Sequence, residues 1–279
     1  MKRLLLMALA VGVLLPAVAQ EVEVASQRRL LDGVEGPAYY PVLDQAGDRL
    51  LFSTESGALT LLDLADGVTT VVTSDYVAGR DADFGNDGKV YYVSQRVGED
   101  HLVYRTGQSY DVKTRKTDIV TATRRGAMRA MPGVQGDAAW TEGSRVHIVV
   151  KGEHRVFSPV DSWAGYLWAS LSPDGKRVAF FAAGKGIVVI DLRGQVLAMP
   201  GNYEMPCWYN NDYLVAQNAK DDGHQFTSSQ IVLLKADGTW QAELTRPESM
   251  SMHPTCGGGK IVYTTIDGLL YEMKINIHD

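Results

Sequence analysis

Short alternating runs of apolar and polar residues return six times along this chain, each opened by a glycine or polar turn and closed by a small polar residue. The clearest copy is Ser172-Pro173-Asp174-Gly175-Lys176-Arg177-Val178-Ala179-Phe180-Phe181. Weaker copies begin at Gly47, Asp87, Gly136, Asn211 and Gly259. With Leu50, Val90, Ala138, Val178, Tyr213 and Ile261 taken as equivalent, successive copies lie 40, 48, 40, 35 and 48 residues apart. Alternation of period two, broken every few residues by Gly, Asp and Asn, is the pattern of antiparallel strands joined by tight turns. In the first copy it predicts strands over 50–53, 58–64 and 68–73, with Asp66-Gly67 as a hairpin turn. The fourth copy repeats them over 178–181, 187–191 and 196–199.

Four strands recurring with this period are the signature of a β-propeller, so the expected fold is all-β: six four-stranded antiparallel blades. Five or seven blades are the alternative counts. The last copy holds strands over 260–265 and 269–277 but runs out before a fourth, while residues 21–31 read as a strand that belongs to no complete unit. The sequence therefore predicts that the N-terminal segment supplies the outer strand of the last blade, closing the ring and removing its open edges.

The copy from Ser172 to Phe181, with its Ser-Pro-Asp-Gly-Lys turn leading into an apolar strand, resembles the repeat of TolB-like six-bladed propellers. The other five copies keep the turn and the strand but lack the Ser-Pro pair. The resemblance implies the propeller architecture and an exported location. Its relatives include periplasmic scaffold proteins and the propeller domains in front of prolyl-oligopeptidase-type hydrolases.

Residues 1–19 read as a cleavable secretory signal: Lys2 and Arg3, an apolar run from Leu4 to Leu15, then Ala17-Val18-Ala19. The run is shorter than the roughly 20 residues of a spanning helix. Residues 20–279 are then expected to be one propeller domain, most simply periplasmic, possible alternatives being secretion or the cell surface. Removing Lys2 and Arg3 changes the balance from 27 basic against 33 acidic residues to 25 against 33, a net charge of −8. Such a surface excludes nucleic acid and anionic lipid as partners, since both require concentrated Lys and Arg. There is no Gly-x-Ser-x-Gly elbow and no length left for a hydrolase domain.

In a propeller the loops between blades gather with the turns between second and third strands on one face, around the channel mouth, and function concentrates on such loops. The inter-blade segments are rich in aromatics, methionine and arginine, residue types favoured at binding surfaces. The expected ligand-binding residues are Tyr40, Arg80, Arg129, Trp168 and His253, the competing reading being that the aromatics plug the channel. Two long polar segments, 95–101 and 218–229, are expected as loops on the same face. The basic cluster Arg124, Arg125 and Arg129 reads as a solvated loop.

No catalytic residue, metal site or cofactor is expected. Asp81-x-Asp83 before Asp87-Gly88 lacks the spacing and closing Glu of a calcium loop. The six histidines show no paired-ligand spacing. Cys207 and Cys256, the only cysteines, fall on inner strands of adjacent blades; a disulfide and two free thiols both remain open. The expected function is a non-catalytic binding or scaffold propeller of the cell envelope, a monomer that recognises a protein segment or a small polar ligand at the channel mouth. The alternative is a lactonase-like or lyase-like propeller enzyme, or an accessory subunit of a separately encoded peptidase.

Overall fold

A computed structural model describes residues 21–31, 36–125, 128 and 136–278. Residues 1–19, expected as a secretory signal, and Arg129 lie outside the described residues. Six antiparallel sheets stand in a ring, as the repeat predicts. Blade 1 runs from its inner strand Ala38–Leu43 through Arg49–Thr54 and Leu59–Asp63 to its outer strand Thr69–Thr73. Blade 4 repeats this order with Tyr166–Leu171, Arg177–Ala182, Gly186–Asp191 and Val196–Gly201. Among the described residues blade 3 shows three strands, Ala138–Glu142, Arg145–Val150 and Glu153–Phe157.

The ring closes as expected. Glu21–Arg29 pairs antiparallel with Leu270–His278 as the outer strand of blade 6, from Glu21 opposite His278 to Arg29 opposite Tyr271. Arg28 forks onto the buried Glu272 across this pair, Nε to Oε1 at 2.9 Å and a second guanidinium nitrogen to Oε2 at 3.1 Å. Such bidentate geometry is the strongest form of an Arg–carboxylate contact.

Each blade buries both faces. Leu51, Leu59 and Leu61 of blade 1 pack with Val90 and Tyr92 of blade 2. Leu50, Phe52 and Leu62, one residue out of step, face Val262 and Leu270 of blade 6. Burial on both sides is why Leu50-Leu51-Phe52 reads as an unbroken apolar run rather than an alternation.

Polar clamps stitch the blades together on the face opposite the mouth. The cation that opens the second strand reaches a carbonyl in the first turn of the next blade: Arg49 donates to the Gly88 carbonyl at 3.1 Å and lies over Phe84, 4.9 Å from the ring centre. Arg177 does the same toward the Asn211 carbonyl and lies 5.0 Å over Trp208. Lys260 donates to Gly47 O at 2.5 Å, joining blade 6 to blade 1. In the Ser-Pro-Asp-Gly turn itself, Ser172 Oγ accepts from the Arg177 amide at 2.9 Å and donates to Asp174 Oδ1 at 2.7 Å, while Gly175 takes the left-handed φ of +67° that the turn requires.

Candidate functional site at the channel mouth

Inner strands carry the site because they stand nearest the axis; those of blades 4, 5, 6 and 1 pack in succession against one another. Each begins at the mouth with a bulge. The register slips between Tyr39 and Val42, Leu167 and Ser170, Glu204 and Cys207, and Met252 and Thr255. At the bulge stand Tyr40, Trp168, Met205 and His253, with φ of +52°, +53°, +53° and +52°. All four lie three residues before an equivalent pair: Leu43 opposite Leu50, Leu171 opposite Val178, Trp208 opposite Leu214 and Cys256 opposite Ile261.

A left-handed backbone costs a residue with a Cβ about 1–2 kcal/mol. The same strain at the same register in four blades is therefore part of the fold's design, and bulges of this kind re-aim side chains beside functional sites. Proline follows in three of the four, as Pro41, Pro206 and Pro254. The bulged residue leaves the ladder locally unpaired, so a residue without an N–H fits there.

The structure thus places three of the five predicted residues, Tyr40, Trp168 and His253, at one equivalent position. The rings of Tyr40 and His253 lie 5.1 Å apart across the junction of blades 1 and 6, and Trp168 leans on Phe181 at 5.4 Å. Tyr40 is 36% exposed, so it does not act as a sealed plug. Burial holds the His253 imidazole below its ordinary value, favouring the neutral ring.

Arg80 falls elsewhere. It is exposed in the 3₁₀ turn Ala78–Asp81, one residue before the bulge register, where Asp81 stands instead. That turn hugs blade 1 so closely at Gly79 that a Cβ there would overlap Ser53 Oγ. Met205 was not anticipated. The signal was in the sequence as a recurring X-Pro pair, Tyr40-Pro41, Met205-Pro206 and His253-Pro254, and Met131-Pro132 repeats it in the third copy.

Two β-arms, not loops, rise beside this ring. Residues expected as the loop 95–101 extend the hairpin Val90–Val97 and Val103–Asp111, with Gln95 opposite Arg105 and Val97 opposite Val103. Residues expected as the loop 218–229 extend Tyr213–Asp221 and Phe226–Lys235, with Ala219 opposite Ser229. Arg124 and Arg125, expected in a loop, end the strand Lys116–Arg125 opposite Arg105 and Tyr104. Beyond Ser229, which is buried at the base of the blade 5 arm, these arms meet water, so the polar runs 95–101 and 218–229 show no apolar stripe that would mark them as strands. Blades 2 and 5 are three steps apart in a ring of six, hence opposite each other across the mouth. The blade 2 arm carries Arg96, Arg105, Arg124 and Arg125 on its strands and Glu99 and Asp100 at its tip; the blade 5 arm carries Lys220, Asp221 and Asp222 near its tip.

Further aromatics surround the mouth. Trp163, 84% exposed, borders an open recess of about 580 Å³ with Ser144, Asp161, Ser162 and Lys185. Tyr76, 67% exposed, lies against Gly57 of the blade 1 turn. Two carboxylates in the ring are perturbed. Surrounding protein pushes Asp83 up to about 6 although its side chain keeps contact with solvent, and burial followed by the charge of Asp221 raises Glu204.

Among the described residues no group of three or more His, Cys, Asp or Glu side chains could hold a metal ion. The histidines are nonetheless not all isolated: His147 Nδ1 and His154 Nε2 meet at 3.2 Å across a hairpin of blade 3, stacked with Trp140.

No protein-family model matches this chain, and no curated protein matches it in sequence. Solved structures do match. TolB from Acinetobacter baumannii superposes with a TM-score of 0.52 at 16% identity, covering 86% of this chain and 56% of that one. An oligogalacturonate lyase in complex with manganese gives 0.53 at 14% identity, covering 87% and 79%. A gluconolactonase from Xanthomonas campestris gives 0.56 at 12% identity, covering 86% of each chain. The chain spans little more than half the length of that TolB. At these identities the likeness is one of fold alone, that of a β-propeller, and the six blades are read from this chain's own sheets.

Proposed function

We propose that this chain is an exported binding or scaffold propeller of the cell envelope that recognises a protein segment, or a small polar ligand, across its channel mouth. The observation that carries this reading is the bulge set, Tyr40, Trp168, Met205 and His253, held at one register at the cost of backbone strain. Aromatic side chains fixed on a rigid frame lose little entropy on binding and are the usual anchors of recognition. The two arms favour an extended segment over a compact ligand, because they stand on opposite sides of the ring and offer it two walls to lie between.

The test is photo-crosslinking in cells with a light-activated phenylalanine analogue at Tyr40 or Trp168, compared with the same analogue at Asp174 on the far face. The reading expects a discrete adduct from the mouth positions. Adducts from Asp174 alone would place recognition on the other face.

A lyase-like or lactonase-like enzyme is the second reading, favoured by the raised carboxyl of Asp83 on the inner strand of blade 2. Turnover of a lactone or an oligouronide by the purified protein, lost in Asp83→Asn, is the result that would select it.

A further inference from the structure

Cys207 and Cys256 occupy the inner strands Glu204–Trp208 of blade 5 and Ser251–Gly257 of blade 6. Equivalent positions on neighbouring blades face the same way around the ring and cannot meet. These two are not equivalent. Cys256 pairs with Ile261 at the register that Trp208 holds in blade 5 with Leu214, whereas Cys207 precedes Trp208 by one residue. Successive strand residues point to opposite faces, so the one-residue offset turns Cys207 toward blade 6 and Cys256 back toward blade 5. Both join the apolar contact between these blades, beside Val215 and Ile261. As thiols their sulfurs stand 2.7 Å apart.

We propose that this pair is an oxidation site, forming a disulfide that staples blade 5 to blade 6. Blade 6 is the blade completed by the N-terminal strand, so the staple secures the sector in which the two ends of the chain meet. It also ties down the strand that carries His253. In the exchange, one thiolate attacks a small-molecule disulfide and displaces a thiolate. The second cysteine then attacks the mixed disulfide and displaces the other. The protein loses two electrons and two protons, and the reagent leaves as two thiols.

Burial and the neighbouring Cys207 push the Cys256 thiol well up, so the reactive thiolate is scarce in the folded ring. The test therefore refolds the full chain from denaturant in a buffer of oxidised and reduced glutathione, with refolding under reductant as the reference. The expected oxidised monomer has no titratable thiol, an intact mass about 2 Da lower, and a peptide linking residues 207 and 256. Its Tm should exceed that of the reduced ring by about 5 °C or more, from the closed 207–256 loop. The double variant Cys207→Ala/Cys256→Ala should melt near the reduced protein under both conditions. A refolded monomer that keeps two titratable thiols, or a crosslinked monomer that melts no higher than the reduced one, would overturn the proposal.

Discussion

Gln217 of blade 5 accepts a hydrogen bond from the backbone N–H of His253 in blade 6, Oε1 to N at 2.9 Å. Gln217 is almost wholly buried, so the backbone N–H at the left-handed bulge of His253 is held from the neighbouring blade. Removing the acceptor leaves a buried N–H at a strained residue. We predict that Gln217→Leu destabilises the ring by about 1–3 kcal/mol, read by denaturant unfolding. A variant as stable as wild type would show that the bulge supports itself.

The closing strand should matter more than a terminal tail. Deleting residues 21–29 exposes the edge of Leu270–His278 and should lower Tm sharply; an unchanged Tm would reject closure. The pH dependence follows from Glu272, whose pKa the Arg28 hydrogen bonds lower. A depressed carboxylate adds stability that is full above its unfolded value and disappears as pH falls through the folded one. Glu272→Gln should therefore cost about 1 kcal/mol at pH 7, modest because Arg28 is largely exposed. The cost should shrink as pH falls below the ordinary glutamate value of about 4.3 and vanish only once pH has passed the lower folded value.

Asp83 carries the opposite sign. Its folded pKa, about 6, lies above the unfolded value, so the native ring favours the protonated form and loses stability as pH rises through 6. Asp83→Asn should raise Tm at pH 7.5 and leave it nearly unchanged at pH 4. Equal shifts at both pH values would refute a titrating Asp83.

Gly175 separates fold from recognition. At φ of +67° a β-branched residue is strained, so Gly175→Val should cost on the order of 1 kcal/mol or more. The turn lies on the face away from the mouth, and binding should survive.

The propeller was legible because its repeat is a backbone fact: turns need glycine or aspartate at fixed places, and the central strands need apolar residues. Ring closure was legible from the missing fourth strand of the last copy together with the unassigned strand at 21–31. The mouth was only half legible. Tyr40, Trp168 and His253 share one register, but Arg80 slips from it because blade 2 begins with a 3₁₀ turn that Gly79 packs against Ser53. The arms, 95–101 and 218–229, read as loops on the mouth face because their outer residues are solvated and carry no apolar stripe. The meeting of Cys207 and Cys256 depends on a one-residue offset between blades, and repeat spacing does not resolve single residues.

The claim that recognition resides at the bulge set is tested most directly by titrating the segment captured by crosslinking onto three proteins: wild type, Gly175→Val, and the double variant Tyr40→Ala/Trp168→Ala, each shown to be folded. If the mouth aromatics are anchors, the double variant should lose about 2 kcal/mol or more of affinity, roughly 30-fold, while Gly175→Val binds as wild type. A folded double variant with full affinity would contradict the account.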